Sequence, residues 1–569
     1  MKRLLCFRAV SAVLISVTFL LPGGVAAGQD TAAAATPAAD AKLLSARPGE
    51  RQVRPMPVGT EKGIPLSLEE AISLALSNNV DLDVSVNTAE ASRFALTREE
   101  GIFDPLLTAN IARDHNEVPI SSALVRADDI FEEDVTRGGI GVSQLLPTNG
   151  VLDIGYAGNE SETNDAADTV NPRYTSGLTA SLTQPILRGF GWDQATLFIT
   201  TSRNTQDAIY QDFVRAVQTT VNGVEQAYWD LVYALDNHEV KLEAKRVADD
   251  LNRITKIKID VGSLAPIDIV QTEVGIAEAE QQIITAEGLI GDAQDRLKRL
   301  LNFDPYKWAG TPIVPTDRIA LDTIDVDLAA AVRTAVQTRP EINRALYTIA
   351  SQRARYEYFD QRTLPQLDFV GRYGVSGLAG VRREIQDDGT VIITSNEDFS
   401  DAVDNMSDGQ ANNWSVGLLF SLPIGNRSAK GLAGEAKYLL EANRANLSAL
   451  EQNVVVEVRA AVRDIDQARR QVAAARKSRE LAERNLEAER KKFENGMSTT
   501  FEVTRIQSDL SGARTLEILA LAAYSKAVAR YHYVIGDNLA WKGIRIEGIP
   551  ESTVPDDPAR LTWAKVETP

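Results

Sequence analysis

The chain has 569 residues, of which 44% are apolar and 24% charged, and this excludes both a disordered protein and a helical membrane protein. Acidic residues number 79 against 60 basic ones, and the net charge of −19 argues against binding to nucleic acid. Cys6 is the single cysteine, and the three histidines are far apart in sequence. The sequence therefore lacks zinc-protease motifs and argues against a metal site built from cysteine or histidine.

Residues 1–27 have the pattern of a secretory signal peptide. Three basic residues precede an apolar run at 9–21, and small residues follow it at 25–27. The run is shorter than the ~20 residues of a spanning helix, so an N-terminal membrane anchor is the weaker alternative. Residues 28–64 are rich in Ala, Pro and Gly without periodicity, which predicts a disordered leader on an exported protein.

The remaining sequence repeats itself. Residues 66–113 align with residues 326–373 at a constant offset of 260, without a gap. Residues 260–273 align in the same way with residues 494–507. Landmarks that recur in the same order predict a duplicated helix–strand–helix unit. The matched pairs are Leu68 and Leu328, Ala71 and Ala331, Ala75 and Ala335, Asp81 and Glu341, Pro105 and Pro365, Pro185 and Pro423, Gly262 and Gly496, and Asp268 and Glu502.

These landmarks divide the chain into two repeats and a tail. The first repeat, 65–310, has its strands within 105–185 and its long helices within 193–302. The second repeat has the same organisation. Its bounds are 311–540, with strands within 365–423 and long helices within 427–536, and a C-terminal tail follows at 541–569.

Two long helices carry an apolar seam. No proline occurs from about residue 193 to 258, and apolar residues recur there in steps of three and four. About 65 helical residues make a rod of roughly 100 Å, which must pack sideways against other helices. A structural coiled coil without a channel has the same pattern. The seam residues are Ile209, Phe213, Val217, Val221, Val224, Tyr228, Leu231 and Leu235 in the first repeat, and Val454, Val458, Val462, Ile465, Val472 and Ala475 in the second.

The predicted strands alternate in polarity. Leu178, Ala180 and Leu182 face one way while the intervening Thr and Ser face the other, and residues 414–422 alternate similarly. Segments of about 9–11 residues with this alternation are typical of transmembrane barrel strands. A soluble sandwich with one wet face is the alternative. Residues 138–158 form an additional hairpin that either adds two strands to the barrel or decorates its rim.

With these features the sequence resembles the outer-membrane efflux protein family, the TolC-like exit ducts. The resemblance rests on the order and double occurrence of "LSLEEAISLAL", "QPILRGFG", "VGSLAPIDIVQTE", "LFSLPI" and "ENGMSTTFEV". It implies a mainly α-helical fold with membrane strands: a duplicated helix–strand–helix repeat, a long periplasmic coiled-coil barrel of helices, and a trimeric transmembrane β-barrel. In this family each protomer of a homotrimer gives four strands to one twelve-stranded barrel in outer-membrane lipid. The resemblance further implies that the tip binds a periplasmic adaptor, which links it to an inner-membrane efflux pump or ABC exporter.

The two glycine turns are the predicted tips of the helical rods. Gly262 and Gly496 suit the left-handed residue that ends a helix, and Asp268 and Glu502 follow six residues later. Each acid can cap its helix, Glu502 within a capping box, or contribute to a ring of carboxylates at a tunnel mouth. The resemblance supports the ring, yet Arg505 and Gln271 stand where a second acid is expected, and Ser498 replaces a family arginine. The candidate adaptor contacts are Gly262, Ser263, Leu264, Gly496, Met497 and Ser498.

No catalytic motif accompanies these features. The sequence has no G-x-S-x-G, P-loop or dinucleotide fingerprint. We therefore expect a channel that is not an enzyme, has no cofactor and no bound nucleic acid, and conducts solutes passively from the periplasm to the exterior. A periplasmic structural coiled coil and an exported enzyme are the competing hypotheses.

Overall fold

A computed structural model of the chain describes residues 42–45, 63–119, 130–304, 310–319, 324–385, 391–547 and 555. The predicted signal peptide at 1–27 and most of the leader and the C-terminal tail lie outside these residues. The described helices are α1 (Leu68–Asn78), α2 (Val80–Glu100), α3 (Trp192–Ala195), α4 (Leu197–Asp260), α5 (Asp268–Leu300), α6 (Leu328–Thr338), α7 (Pro340–Gln361), α8 (Phe399–Ser407), α9 (Arg427–Glu494), α10 (Thr500–Ile535) and α11 (Asn538–Trp541). The described strands are β1 (Lys42–Ser45), β2 (Ile64–Leu66), β3 (Leu106–Pro119), β4 (Ile130–Leu145), β5 (Val151–Thr163), β6 (Val170–Pro185), β7 (Ile313–Pro315), β8 (Gln366–Ile385), β9 (Val391–Asn396), β10 (Ala411–Ser421) and β11 (Ile544–Glu547).

The leader contains a strand, so the prediction of disorder throughout 28–64 is wrong. Strand β1 pairs in parallel with β11, and β2 pairs in parallel with β7. These short pairs bring distant parts of the sequence together beside the long helices. They depend on hydrogen bonds between distant segments, and the local composition of the leader carries no signal for them.

The same order of elements occurs in both parts of the chain. Helices α1 and α6 begin 260 residues apart, and so do strands β3 and β8. Both short helices have a side-chain N-cap, because Ser67 accepts from the backbone N–H of Glu70 and Asp327 accepts from that of Ala329. Each pair of helices then leads into a strand.

Helices α4 and α9 are the long rods that the seam predicts. They have 64 and 68 residues, a length of about 100 Å at ~1.5 Å per residue. Most of the seam residues are buried, and Phe213, Val221 and Leu231 have relative exposures of 1% or less. The chain reverses direction at the end of each rod, so that α5 runs back along α4 and α10 runs back along α9. Neighbouring helices therefore cover the apolar seams.

The strands form one antiparallel sheet whose order is β10-β8-β6-β5-β4-β3, with the short β9 paired beside β8. The described part of the chain thus supplies six long strands to the sheet. The four strands per protomer that the family resemblance implies are therefore wrong for this protein. The two additional strands are β4 and β5, which contain the hairpin at 138–158. This hairpin lies between β3 and β6 within the sheet, so it does not decorate a rim.

The two faces of this sheet differ in polarity along rows of directly paired residues. One row, the apolar row, crosses all six long strands with a large or aliphatic side chain on almost every one. The next row, the polar row, carries only glycine, threonine and asparagine. The apolar row is Leu107, Val142, Ile154, Ala180, Tyr373 and Trp414, and the polar row is Thr108, Gly141, Gly155, Thr179, Gly374 and Asn413.

A short helix packs on the apolar-row face of the sheet, beyond the apolar row. Asp398 is the N-cap of helix α8, and its side chain accepts from the backbone N–H groups of Ser400 and Asp401. A Cβ on Gly377 would lie 2.2 Å from the carbonyl oxygen of Ala402, and one on Gly158 would lie 2.5 Å from the Phe399 ring. The glycines therefore allow the close approach of this helix. Among the described residues, no helix combines the length and the apolar character that crossing a bilayer requires.

Candidate functional site

The rods end in two tips of matching geometry. The first tip (residues 261–267) joins α4 to α5, and the second tip (residues 495–499) joins α9 to α10. Gly262 has a φ of +75° and Gly496 a φ of +74°. In both, the residue after the glycine donates its N–H to the carbonyl five residues back, Ser263 to Lys258 and Met497 to Lys492. This is the Schellman motif, and it stops each rod with its last carbonyls satisfied.

The second tip is held by side chains on both sides of the turn. Thr499 caps α10 by accepting from the backbone N–H of Glu502. The Ser498 hydroxyl donates to Glu489 at 2.5 Å, and Lys492 lies 2.9 Å from the same carboxylate. These two contacts lower the pKa of Glu489. Ser498, which the sequence predicts as an adaptor contact, thus fixes the conformation of the turn.

The two candidate mouth acids have different partners. Asp268 accepts from the backbone N–H of Ala265 at 3.1 Å, a cap within the first tip. The Glu502 carboxylate lies 2.7 Å from Nη2 of Arg505, and this hydrogen bond raises the pKa of the guanidinium. Only one half of the predicted capping box is formed, since Glu502 turns toward Arg505. The arginine therefore offsets the charge that a ring of Glu502 carboxylates would provide.

Contacts between α4 and the end of α9 bring the tips together. Lys258, in the last turn of α4, donates to the carbonyl of Phe493 at 2.5 Å and lies 4.3 Å from the centre of its ring. A cation near the final carbonyls of a helix is favourable because of the helix dipole. An apolar cluster lies behind this contact. It contains Leu251, Leu486, Phe493, Val503, Ile506 and Leu510, with Leu264 packed against it.

The end surfaces of both tips expose large apolar side chains. Val261 and Ile267 on the first tip are 71% and 68% exposed. Met497 on the second tip is 69% exposed, and Phe501 in the first turn of α10 is 57% exposed. Exposed apolar side chains grouped at the end of a structure are typical of an interaction surface. Of the predicted contacts, Ser263 and Met497 are exposed and Leu264 is half-buried. Sequence reasoning missed Val261, Ile267 and Phe501. The pattern that could have identified them is an apolar residue within five positions of a turn glycine.

The remaining predicted site residue is Gln271. It is exposed on α5, one turn beyond Asp268. The described residues include no group of three or more His, Cys, Asp or Glu side chains placed to hold a metal ion.

Paired long rods with capped tips, joined to an antiparallel sheet with one apolar and one polar face, define the architecture of an outer-membrane channel. The family model of the outer membrane efflux protein matches residues 145–302 and 331–536, and the chain belongs to that family. No curated protein matches the chain.

Solved structures share the fold at low sequence identity. The OprN outer-membrane channel has a TM-score of 0.60 and 15% identity, covering 82% of this chain and 89% of its own. The CmeC outer membrane channel of Campylobacter jejuni has a TM-score of 0.60 and 16% identity, covering 83% and 86%. The open MtrE outer membrane channel of Neisseria gonorrhoeae has a TM-score of 0.55 and 14% identity, covering 86% and 97%.

Proposed function

We propose that the chain forms a homotrimeric exit duct of a tripartite efflux or type I secretion system. The sheet lies in the outer membrane with its apolar row toward lipid and its polar row toward water. The rods extend into the periplasm and enclose the conducting tunnel. Solutes pass through it passively, because an inner-membrane pump or ABC exporter supplies the energy.

The observation that supports conduction best is the pair of rows that crosses the sheet. Trp414 and Leu107 belong to the apolar row at its two ends, while Asn413 and Thr108 belong to the polar row directly beside them. A wall that separates lipid from water needs this alternation on every strand. A structural coiled coil without a pore does not.

The exposed apolar residues of the tips support the adaptor proposal. Val261, Ile267, Met497 and Phe501 lie next to rigid Schellman turns. A rigid surface loses little conformational entropy when a partner binds it. We infer that the periplasmic adaptor covers these four side chains together with Ser263.

Conduction by the purified protein is the first prediction. We expect the protein to be extracted from outer membranes by detergent as a trimer, and to produce discrete ion currents in planar bilayers. Native mass measurement and single-channel recording check both expectations. A soluble monomer released by osmotic shock, with no current, would favour the structural coiled coil.

Ion selectivity at the mouth is the second prediction. Arg505→Gln removes the cation that offsets Glu502, so we expect a stronger preference for cations in reversal potentials measured across a KCl gradient. Glu502→Gln combined with Asp268→Asn is expected to weaken that preference, because the mouth then has fewer negative charges.

A matched control comes from a second pair with the same spacing. Arg246 lies 2.7 Å from Glu243, three residues earlier on α4 and away from the tips. Arg246→Gln should leave the reversal potential unchanged. If the variants at 505, 502 and 268 all behave like this control, the tip acids serve only as caps.

A further inference from the structure

The hairpin of β4 and β5 adds two strands to the four that the family resemblance implies for each protomer. Strand β4 pairs with β3 from Leu106 to Pro119, over the whole length of β3. Strand β5 pairs with β6 over 11 consecutive residues, from Val151 to Ser161. The hairpin is therefore held in the sheet by a full ladder of hydrogen bonds on each side.

The faces of the hairpin continue those of its neighbours. Val142 and Ile154 occupy the apolar row between Leu107 and Ala180. Gly141 and Gly155 occupy the polar row beside them. Removal of the hairpin would leave both rows shorter, and no polar side chain of the hairpin interrupts the apolar row.

The turn of the hairpin is fixed at the end of the sheet that leads into the helices. The Thr148 hydroxyl lies 2.6 Å from Oε1 of Gln184, and Asn149 donates its amide to the carbonyl of Gly189 at 2.8 Å. Asn149 has a φ of +65°, a left-handed conformation that asparagine tolerates. The turn thus contacts the segment between β6 and α4, where the wall meets the rods.

The register of the six strands gives their tilt. The apolar row lies one residue from the helical end of β3, at Leu107, and seven residues from the helical end of β10, at Trp414. We take the helical ends of β3 and β10, at Leu106 and Ser421, to lie at the same height. The apolar row then rises by six residues across the five spacings between the six strands, which is about 20 Å over about 24 Å. This is a tilt of about 40°, within the range of transmembrane barrels.

The sheet ends in two exposed edges that can pair with another copy of the chain. Every residue of β3 and of β10 is exposed in the single chain. Strand β3 runs away from the helices and β10 runs back toward them, so β3 of one copy and β10 of the next meet antiparallel. Unpaired edges of this length are an aggregation hazard unless a neighbour covers them.

We infer that the wall of the channel has eighteen strands, six from each of three copies, with the β4–β5 hairpin as part of the lipid-facing wall. The inference rests on the proposed trimer. At the same tilt and strand spacing, eighteen strands give a backbone diameter of about 36 Å, against about 24 Å for twelve. The outer opening is then about one and a half times as wide, and it admits polymers that a twelve-stranded opening excludes.

Cysteine accessibility tests the position of the hairpin. In a Cys6→Ser background, Ile154→Cys on β5 should react with a lipid-soluble probe, and Gly155→Cys should react with a charged aqueous reagent. Leu178→Cys and Thr179→Cys make the same comparison on β6, which belongs to the wall whether or not the hairpin does. If β6 shows the alternation and both positions on β5 react with the aqueous reagent, the hairpin lies outside the wall and the inference fails while the proposed function stands.

The number of strands is tested on the same preparation. We expect a trimer by native mass, and a single-channel current that falls when polyethylene glycols with diameters between those of the two openings are added on the outer side. Exclusion of these polymers, or a dimer with twelve strands, would overturn the count of eighteen. If neither β5 nor β6 contacts lipid, the proposed channel itself is wrong.

Discussion

Lys542→Met is expected to destabilise the folded protein by about 3–5 kcal/mol, because it leaves a buried carboxylate without a partner. Glu225, on α4, is 1% exposed, and its Oε1 lies 2.7 Å from Nζ of Lys542. Its other oxygen has no hydrogen-bond partner among the described residues. Burial raises the pKa of Glu225 even with the lysine present. The thermal midpoint of helical circular dichroism in detergent measures the loss.

The pH dependence follows from the direction of that shift. Because folding raises the pKa of this carboxyl group, its protonated form favours the folded state. That contribution is complete below the pKa of the unfolded chain and is lost as the pH rises through the pKa of the folded protein. Removal of Lys542 raises the pKa of Glu225 further. The loss in Lys542→Met should therefore be large at neutral pH and shrink toward about pH 4, where the carboxyl is also protonated in the unfolded chain.

Two controls separate this effect from general damage. Glu225→Leu combined with Lys542→Met removes both charges and should recover most of the stability. Arg344→Met breaks an exposed pair with Asp212, at 2.9 Å, and should change stability by less than about 1 kcal/mol. A Lys542→Met variant that melts like Arg344→Met at every pH would contradict the prediction.

The rods and tips were predictable because their signals are local. The helical seam and the Schellman glycines both involve residues within one or two turns of each other. The contact between Glu502 and Arg505 is equally local, but the capping-box pattern predicted a different partner for the Glu502 side chain. The periodicity of a helix is visible in any window of its sequence. The predicted region 193–302 therefore contains both α4 and α5.

The pairing of the strands was not predictable in the same way. Alternation identified β6 and β10 as strands, but the place of the 138–158 hairpin depends on ladders to β3 and β6. The residues of a strand do not by themselves indicate which other strand pairs with it. The contact of Lys258 with Phe493 likewise joins residues 235 apart in sequence, and it was missed for the same reason.

Tyr228→Ala is expected to destabilise the fold by about 3–5 kcal/mol, through the lost ring and the cavity that it leaves. The sequence identified Tyr228 only as a seam residue, yet its buried hydroxyl joins three segments. The hydroxyl oxygen lies 3.0 Å from the carbonyl of Leu66 and 2.9 Å from Oδ2 of Asp317. Asp317 in turn accepts from the backbone N–H of Leu68 at 2.6 Å.

Tyr228→Phe tests the hydroxyl alone. It keeps the ring but removes the single hydroxyl hydrogen, which is shared between the buried Leu66 carbonyl and the Asp317 carboxylate. It also removes the oxygen that accepts from the Asp317 backbone N–H, so we expect a loss of about 1–3 kcal/mol. Tyr438→Phe is the control, because Tyr438 is 74% exposed. Equal midpoints for the two phenylalanine variants would show that the hydroxyl contributes nothing. The network lies far from the tips along α4, so both Tyr228 variants should keep the wild-type reversal potential, which distinguishes loss of stability from a change at the mouth.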